Sequence, residues 1–301
     1  MGTPKLVSLF AGCGGSSVGY RNAGFDEILA VDFDKNAIKT FNVNFPNVPI
    51  WDRDIRTIKG EEILKFCKLK VGELDMLDGS PPCQGFSTMG KRNICDERND
   101  LFKHNIRLID EIRPGVFLIE NVFGMVKGRM KGLFLEYMSG LKSLDYSVRC
   151  KLMDSKYYGV PQSRKRLIWI GVRRDLKKEP VYPEPNRNVV TIRKALENVK
   201  PDKIRKPNKK IYKNTGFIVK TDPNKPAPTI ITGFRLVHWD DNRFLDLNEL
   251  KILCSFPRDF KFIGTDSTKI KMMGNAVMPK FMEVVAKEIK EKILCPDIPR
   301  K

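Results

Sequence analysis

The stretch D-G-S-P-P-C-Q-G-F-S, Asp78 to Ser87, constrains this chain more than any other. It follows a short apolar run, Leu74 to Leu77, that reads as a buried strand, and the turn residues after it read as the strand's exit. Pro81 and Pro82 stiffen the backbone just before Cys83. A thiol held on a rigid turn at the end of a strand is where an α/β enzyme carries a nucleophile.

The other strand ends offer what a nucleophilic thiol needs. Residues 5 to 10 are strand-like and run into F-A-G-C-G-G-S-S-V-G, Phe10 to Gly19. A glycine-rich turn between strand and helix lets the backbone approach a ligand and points helix N–H groups at it. The glycines at 12, 14, 15 and 19 do not have the dinucleotide spacing G-x-G-x-x-G. The next strand, Ile28 to Val31, ends in Asp32, an acid about 20 positions on that suits the two hydroxyls of a ribose. Phe33 either lies against an adenine ring or packs in the core. Asp54, after a third short segment, is a candidate partner for an adenine amino group.

Apolar positions at 63, 64, 66, 67 and 69 have helical spacing and lead into the Leu74 strand. Residues 87–100 are polar and loop-like, either a lid over a substrate or a solvated loop. Leu101 to Ile112 reads as a helix stopped by Pro114, and Val116 to Ile119 as a buried strand ending in Glu120-Asn121-Val122. A carboxylate there is costly without a function or a partner. In a parallel sheet Cys83 and Glu120 leave the same edge. Strand-like runs Val148 to Met153 and Leu167 to Val172 flank Q-S-R-K-R, Gln162 to Arg166. Strand alternation turns Arg164 and Arg166 to one side, toward a phosphate or a base carbonyl, or toward solvent as a basic edge.

The net charge of +19 over 301 residues favours a polyanionic partner, with nucleic acid the leading candidate. Seven cysteines without a C-x-x-C pair argue against a disulfide framework or a cysteine zinc site, and no metal is expected. Two histidines exclude catalysis that needs several. No apolar run reaches the roughly 20 residues of a membrane span, and no signal-peptide pattern follows Met1, so a cytoplasmic protein is expected. From about Arg173 the composition changes. Eight of the 19 prolines lie between Pro180 and Pro228, and residues 200–225 carry nine Lys/Arg against two Asp. This reads as a small, loop-rich, basic domain, followed by a helix at about 246–256. A closing helix, striped by Phe281, Val285, Ile289 and Ile293, is expected to pack back on the first domain.

Taken in order, F-A-G-C-G-G, V-D-F-D-K (31–35), S-P-P-C-Q-G-F-S (80–87), E-N-V (120–122), Q-S-R-K-R (162–166), R-F-L-D-L-N-E-L (243–250) and G-N-A-V (274–277) resemble the motifs of the DNA cytosine-5 methyltransferase family, of the compact bacterial or phage type. The resemblance covers roughly residues 1–173 and 243–295. It implies a Rossmann-like S-adenosylmethionine-dependent methyltransferase domain, 1–173 plus 265–301, and a smaller target recognition domain, 174–264. It implies Cys83 as the thiolate that attacks carbon 6 of a flipped cytosine, Glu120 as the acid at ring nitrogen 3, and Arg166 at the base carbonyl oxygen. Arg164 would support the loop or a backbone phosphate, and Asn121 would hold the cysteine turn. Phe10, Gly12, Gly14, Asp32, Phe33, Asp54, Pro82, Leu101, Asn275 and Val277 would line the cofactor pocket. Double-stranded DNA is the implied partner of a monomer, with a cognate restriction endonuclease on a separate chain as a further one. The family often has Glu-Trp where this chain has Asp32-Phe33, a shorter acid and a smaller ring in the same roles.

Three other readings stand beside this one. An RNA cytosine-5 methyltransferase shares the scaffold, although S-P-P-C-Q-G-F-S looks more like the DNA branch. An exocyclic amino methyltransferase typically has an aromatic residue where this chain has Cys83. A catalytically silent DNA-binding regulator would not need Cys83, Glu120 and Arg166 together.

Overall fold

A computed structural model describes residues 2–81, 101–206, 217–231 and 234–295. Pro82, Cys83 and the polar stretch 87–100 lie outside the described residues, as do positions 207–216 of the basic segment. Strand and helix alternate from the N-terminus: β1 (Lys5–Leu9), α1 (Gly15–Asn22), β2 (Asp26–Asp32), α2 (Lys35–Asn44), β3 (Ile50–Asp52), α3 (Gly60–Cys67) and β4 (Met76–Gly79). Then come α4 (Leu101–Ile112), β5 (Val116–Val122), α5 (Lys131–Ser143), β6 (Tyr146–Asp154) and β7 (Lys165–Arg173). Among the described residues the seven strands form one sheet in the order β3-β2-β1-β4-β5-β7-β6. β1 to β5 run parallel, while β7 pairs antiparallel with both β5 and β6. The order reverses beside β1. The chain builds outward to β3 and then returns to β4 on the other side of β1, which opens a crevice at the carboxyl ends of these strands.

The inner strands are apolar on both faces, so both faces must be covered. Leu6, Met76, Leu118 and Ile168 face one buried cluster with residues of α1 and α2, and Val7, Leu77, Phe117 and Trp169 face a second with residues of α3, α4 and α5. The strand expected at Leu74 to Leu77 lies two residues later, so Asp78 is still in the ladder rather than in the turn.

After β7 come α6 (Ile192–Leu196), a two-stranded parallel sheet of β8 (Phe217–Lys220) and β9 (Phe234–Val237), and helices α7 (Leu247–Leu253), α8 (Asp266–Asn275) and α9 (Pro279–Ile289). α7 is shorter than the 246–256 read from sequence. Asp246 caps it, accepting from the Glu249 amide at 2.9 Å, and Glu249 accepts from the Asp246 amide at 2.8 Å. Arg243 closes on both Glu249 oxygens at 2.7 and 2.8 Å, so the charges of R-F-L-D-L-N-E-L form a buried structural unit. Leu250, Leu253, Phe256, Phe260 and Phe262 share a buried cluster with Val18 and Phe281.

The closing stripe of Phe281, Val285, Ile289 and Ile293 is buried as expected, and α9 packs on α1. A Cβ at Gly19 would come within 2.7 Å of Pro279 O, Glu283 N and Met282 Cβ. Gly19 thus serves helix contact rather than a ligand, and it draws the end of the chain against the helix that follows the glycine-rich turn. Gly19→Val is expected to destabilise the protein by about 1–3 kcal/mol through overpacking, read by denaturant unfolding. An unchanged midpoint would show that the two helices separate freely.

Candidate active site

Five strand ends meet at the carboxyl edge of the parallel sheet. β7 runs the other way, so its first residues lie at the same edge, with Arg166 opposite Val122. β5 brings Glu120 there, 9% exposed, with Arg166 Nε 2.5 Å from Glu120 Oε1. Arg166 Nη1 donates to the Lys165 carbonyl at 2.8 Å. A carboxylate this deep is tolerable because the guanidinium stands against it, and removing either charge would leave the other buried and unpaired.

The chain that leaves β4 toward Cys83 is held from three sides. Asn105 Nδ2 of α4 donates to the Gly79 carbonyl at 2.9 Å. Ser80 Oγ accepts from the Glu120 amide at 3.1 Å. Asn121 Nδ2 donates to the Pro81 carbonyl at 3.2 Å, and Asn121 Oδ1 accepts from the Val122 amide. Glu120, Asn121 and Arg166 therefore gather where β4 ends. Cys83 and Pro82, expected there, lie outside the described residues. Of the other cysteines, burial pushes the Cys13 and Cys150 thiols up to about 12 and those of Cys67 and Cys254 up to about 11. None of these four is a thiolate at neutral pH.

Arg164 shares a face with Arg166 but contacts different partners. It is 3% exposed and donates to the carbonyls of Ile230, Gly274 and Ala276 at 3.3, 2.9 and 3.1 Å. Burial, with Arg166 nearby, pulls its pKa down to about 9, so it stays charged at neutral pH. It braces the turn that carries Asn275 and Val277.

The glycine-rich turn lies on the other side of the crevice. Phe10, Gly12 and Gly14 all have positive φ, at 59°, 57° and 92°. Gly14 caps α1, whose first N–H groups open toward the turn. Left-handed backbone at Phe10, which is not a glycine, is a strained feature of the kind that gathers at ligand sites. Asp32 Oδ2 accepts from the Gly12 amide at 2.7 Å, and its Oδ1 accepts from the Phe33 and Asp34 amides. Asp32 thus shapes the turn. Burial raises its pKa while these amides oppose the rise. Phe33 is 58% exposed, so it is not part of the core. Val277 is buried, Asn275 is exposed, and Leu101 is buried at the start of α4. Asp54 has both carboxylate oxygens engaged by Arg56, whose hydrogen bonds hold its pKa below the ordinary value.

Sequence reasoning did not identify Asp78, Ser80, Tyr20 or Asn105 as parts of this site. The available signal was Asp78, a carboxylate inside a buried strand. It is 2% exposed, accepts from Ser80 Oγ at 3.2 Å and faces the buried Tyr20 hydroxyl. Glu27 lies in the same seam and accepts from Ser17 Oγ at 3.0 Å. Among the described residues no group of three or more His, Cys, Asp or Glu side chains is placed to hold a metal ion, and no helix is long and apolar enough to cross a membrane.

The sequence matches the family described as C-5 cytosine-specific DNA methylase over residues 4–226 and 192–291. The Type II methyltransferase M.NgoFVII of Neisseria gonorrhoeae is 30% identical, covering 95% of this chain and 86% of its own length. M1.HphI of Haemophilus parahaemolyticus, also a Type II methyltransferase, is 29% identical over 94% of this chain and 86% of its own. Among solved structures, a protein assigned as a DNA modification methyltransferase encoded within an E. coli prophage superimposes with a TM-score of 0.82 at 26% identity, covering 97% of this chain and 99% of that one.

The buried acids set a pH dependence. Burial pushes Asp78 from its ordinary 3.8 up to about 8, and Glu27 from 4.5 up to about 7. The folded protein therefore retains protons that the unfolded chain releases. The stability they contribute is complete below pH 3.8 and is lost as pH rises toward about 8. Glu27→Gln and Asp78→Asn, which stay neutral, are each expected to flatten the fall in the denaturant midpoint between pH 5 and 9. Unchanged slopes in both variants would contradict protonated burial.

Proposed function

The chain belongs to the C-5 cytosine-specific DNA methylase family, and we propose that it methylates a flipped cytosine at the edge where β4, β5 and β7 meet, with Cys83 as the nucleophile. The protein is a DNA cytosine methyltransferase, and the pairing of Glu120 with Arg166 beside the end of β4 supports this site for its chemistry.

Carbon 5 of cytosine is a poor nucleophile. When the Cys83 thiolate adds to carbon 6, a carbon–sulfur bond forms, and the pair released from the 5,6 double bond moves through the ring toward nitrogen 3. Glu120 gives a proton or a hydrogen bond to nitrogen 3 and so stabilises the developing charge, and Arg166 contacts the base carbonyl oxygen. Carbon 5 then attacks as an enamine carbon. After methyl transfer solvent water takes the carbon-5 proton, the pair of that carbon–hydrogen bond re-forms the 5,6 double bond as the carbon–sulfur bond breaks, nitrogen 3 returns its proton to Glu120, and Cys83 departs as the thiolate. Asn121, with its bond to the Pro81 carbonyl, keeps the cysteine turn against β5.

The glycine-rich turn fits S-adenosylmethionine: left-handed backbone open to a ligand and an exposed Phe33 ring. When bound, this cofactor supplies an electrophilic methyl group. Phe10, Gly12, Gly14, Asp32, Phe33, Asp54, Pro82, Leu101, Asn275 and Val277 would hold it, with Arg164 bracing the last two. Residues 1–173 plus 265–301 form the catalytic unit, and 174–264 read the target sequence. Lys200, Lys203 and Lys206 are exposed and available to DNA phosphates. The Type II names of the relatives support a modification enzyme of a restriction-modification system, with the endonuclease on a separate chain. The enzyme would act as a monomer on duplex DNA in the cytoplasm of a bacterial or phage-infected cell.

Bisulfite sequencing of a plasmid from cells expressing the protein is expected to show protected cytosines in one sequence context. With Cys83→Ser the protection disappears while cofactor binding persists. Near-normal protection by that variant would remove Cys83 from the mechanism. Methylated tRNA beside an unmodified plasmid would move the substrate to RNA.

A further inference from the structure

The ladder between β4 and β5 stops two residues short of Glu120. Its last paired positions are Asp78 and Leu118. The next amide of β5 directed at β4 belongs to Glu120, and there the partner is a side chain, Ser80 Oγ, at 3.1 Å. β4 must turn away at this point because Pro81 and Pro82 follow, and neither has an N–H with which to extend a ladder. The serine hydroxyl therefore takes the place of a strand carbonyl. Its own proton is directed to Asp78 Oδ1 at 3.2 Å, which turns an oxygen lone pair toward the Glu120 amide.

Asp78 is an expensive residue in this place. It is 2% exposed, lies close to the carboxyls of Glu27 and Glu120, and among the described residues has no cation as a hydrogen-bond partner. An apolar residue would pack there at lower cost. Tyr20 of α1 faces it with a fully buried hydroxyl. Neither side chain reaches the crevice as a reacting group.

We propose that Ser80 and Asp78 are positioning residues that act as one unit, fixing the strand residue Glu120 and the chain leading to Cys83 relative to each other through the single oxygen Ser80 Oγ. This rests on the assignment of Cys83 and Glu120 above. Thiol and acid come from different strands, and their relative placement decides whether one engages carbon 6 while the other engages nitrogen 3. A misplacement of about 1 Å in such a pair lowers turnover up to about a hundredfold.

The test is steady-state kinetics on duplex DNA bearing the mapped site, together with cofactor affinity by calorimetry. Ser80→Ala is expected to lower kcat between about tenfold and a hundredfold, with KM for DNA and cofactor affinity within about twofold of wild type. Ser80→Thr keeps the hydroxyl and is expected to recover most of kcat. Asp78→Ala should lower kcat as Ser80→Ala does, and the double variant should be no worse than either alone, as for two groups in one unit. Wild-type kcat in Ser80→Ala would overturn the proposal, as would failure of Ser80→Thr to recover turnover in a protein that still binds cofactor. Cys83→Ser is run beside these. An inactive Cys83→Ser with a fully active Ser80→Ala sinks only the positioning role. An active Cys83→Ser sinks the site assignment itself.

Discussion

The parallel pairing of β4 with β5 is the constraint on which the site depends. It brings two strand ends that are distant in sequence to adjacent places on one edge. Beyond the last β4–β5 pair, side chains join the end of β4 to its neighbours. Asn105 holds the Gly79 carbonyl, Ser80 holds the Glu120 amide, and Asn121 holds the Pro81 carbonyl. Each bond is modest alone, about 1 kcal/mol net, but all three fall within three consecutive residues. Gly79, Ser80 and Pro81 are thus held to α4 and β5 by side chains.

The second half of the site depends on the end of the chain. α9 lies on α1, with Gly19 allowing close approach, and this puts the turn at Asn275 and Val277 near the glycine-rich turn. Arg164 ties that turn to the start of β7 and to Ile230 of the proline-rich region. One buried guanidinium therefore joins three parts of the chain that are far apart in sequence, and it does so through carbonyls, which any residue type supplies.

Much of this could be read from the residues alone because strands buried on both faces are continuous apolar runs, and their exits are marked by residues that cannot stay in a strand. Pro81 marks such an exit, while Glu120 and Asp32 mark the edge as costly carboxylates still inside their strands. What stayed hidden was the role of residues with no distinctive pattern. Ser80 looks like an ordinary turn serine until the missing ladder partner of Glu120 is known. Asp78 has the look of a turn residue, and only the ladder, which runs two positions beyond the apolar run, shows it inside the strand. Gly19 suggested a ligand turn and instead serves helix packing, since one glycine suits both needs. Alternation gives the face to which Arg164 points but not the carbonyls of Ile230, Gly274 and Ala276 that it meets there.

In the proposed mechanism Cys83 forms a covalent bond to the target base, held in register with Glu120 by the end of β4. Duplex DNA carrying 5-fluorocytosine at the mapped site tests it directly, since fluorine cannot leave carbon 5 as a proton does and the adduct persists. Incubation with S-adenosylmethionine, proteolysis and mass spectrometry should find the modified nucleotide on the peptide containing Cys83. An adduct on another cysteine, or no adduct from enzyme that methylates the unfluorinated duplex normally, would contradict the account.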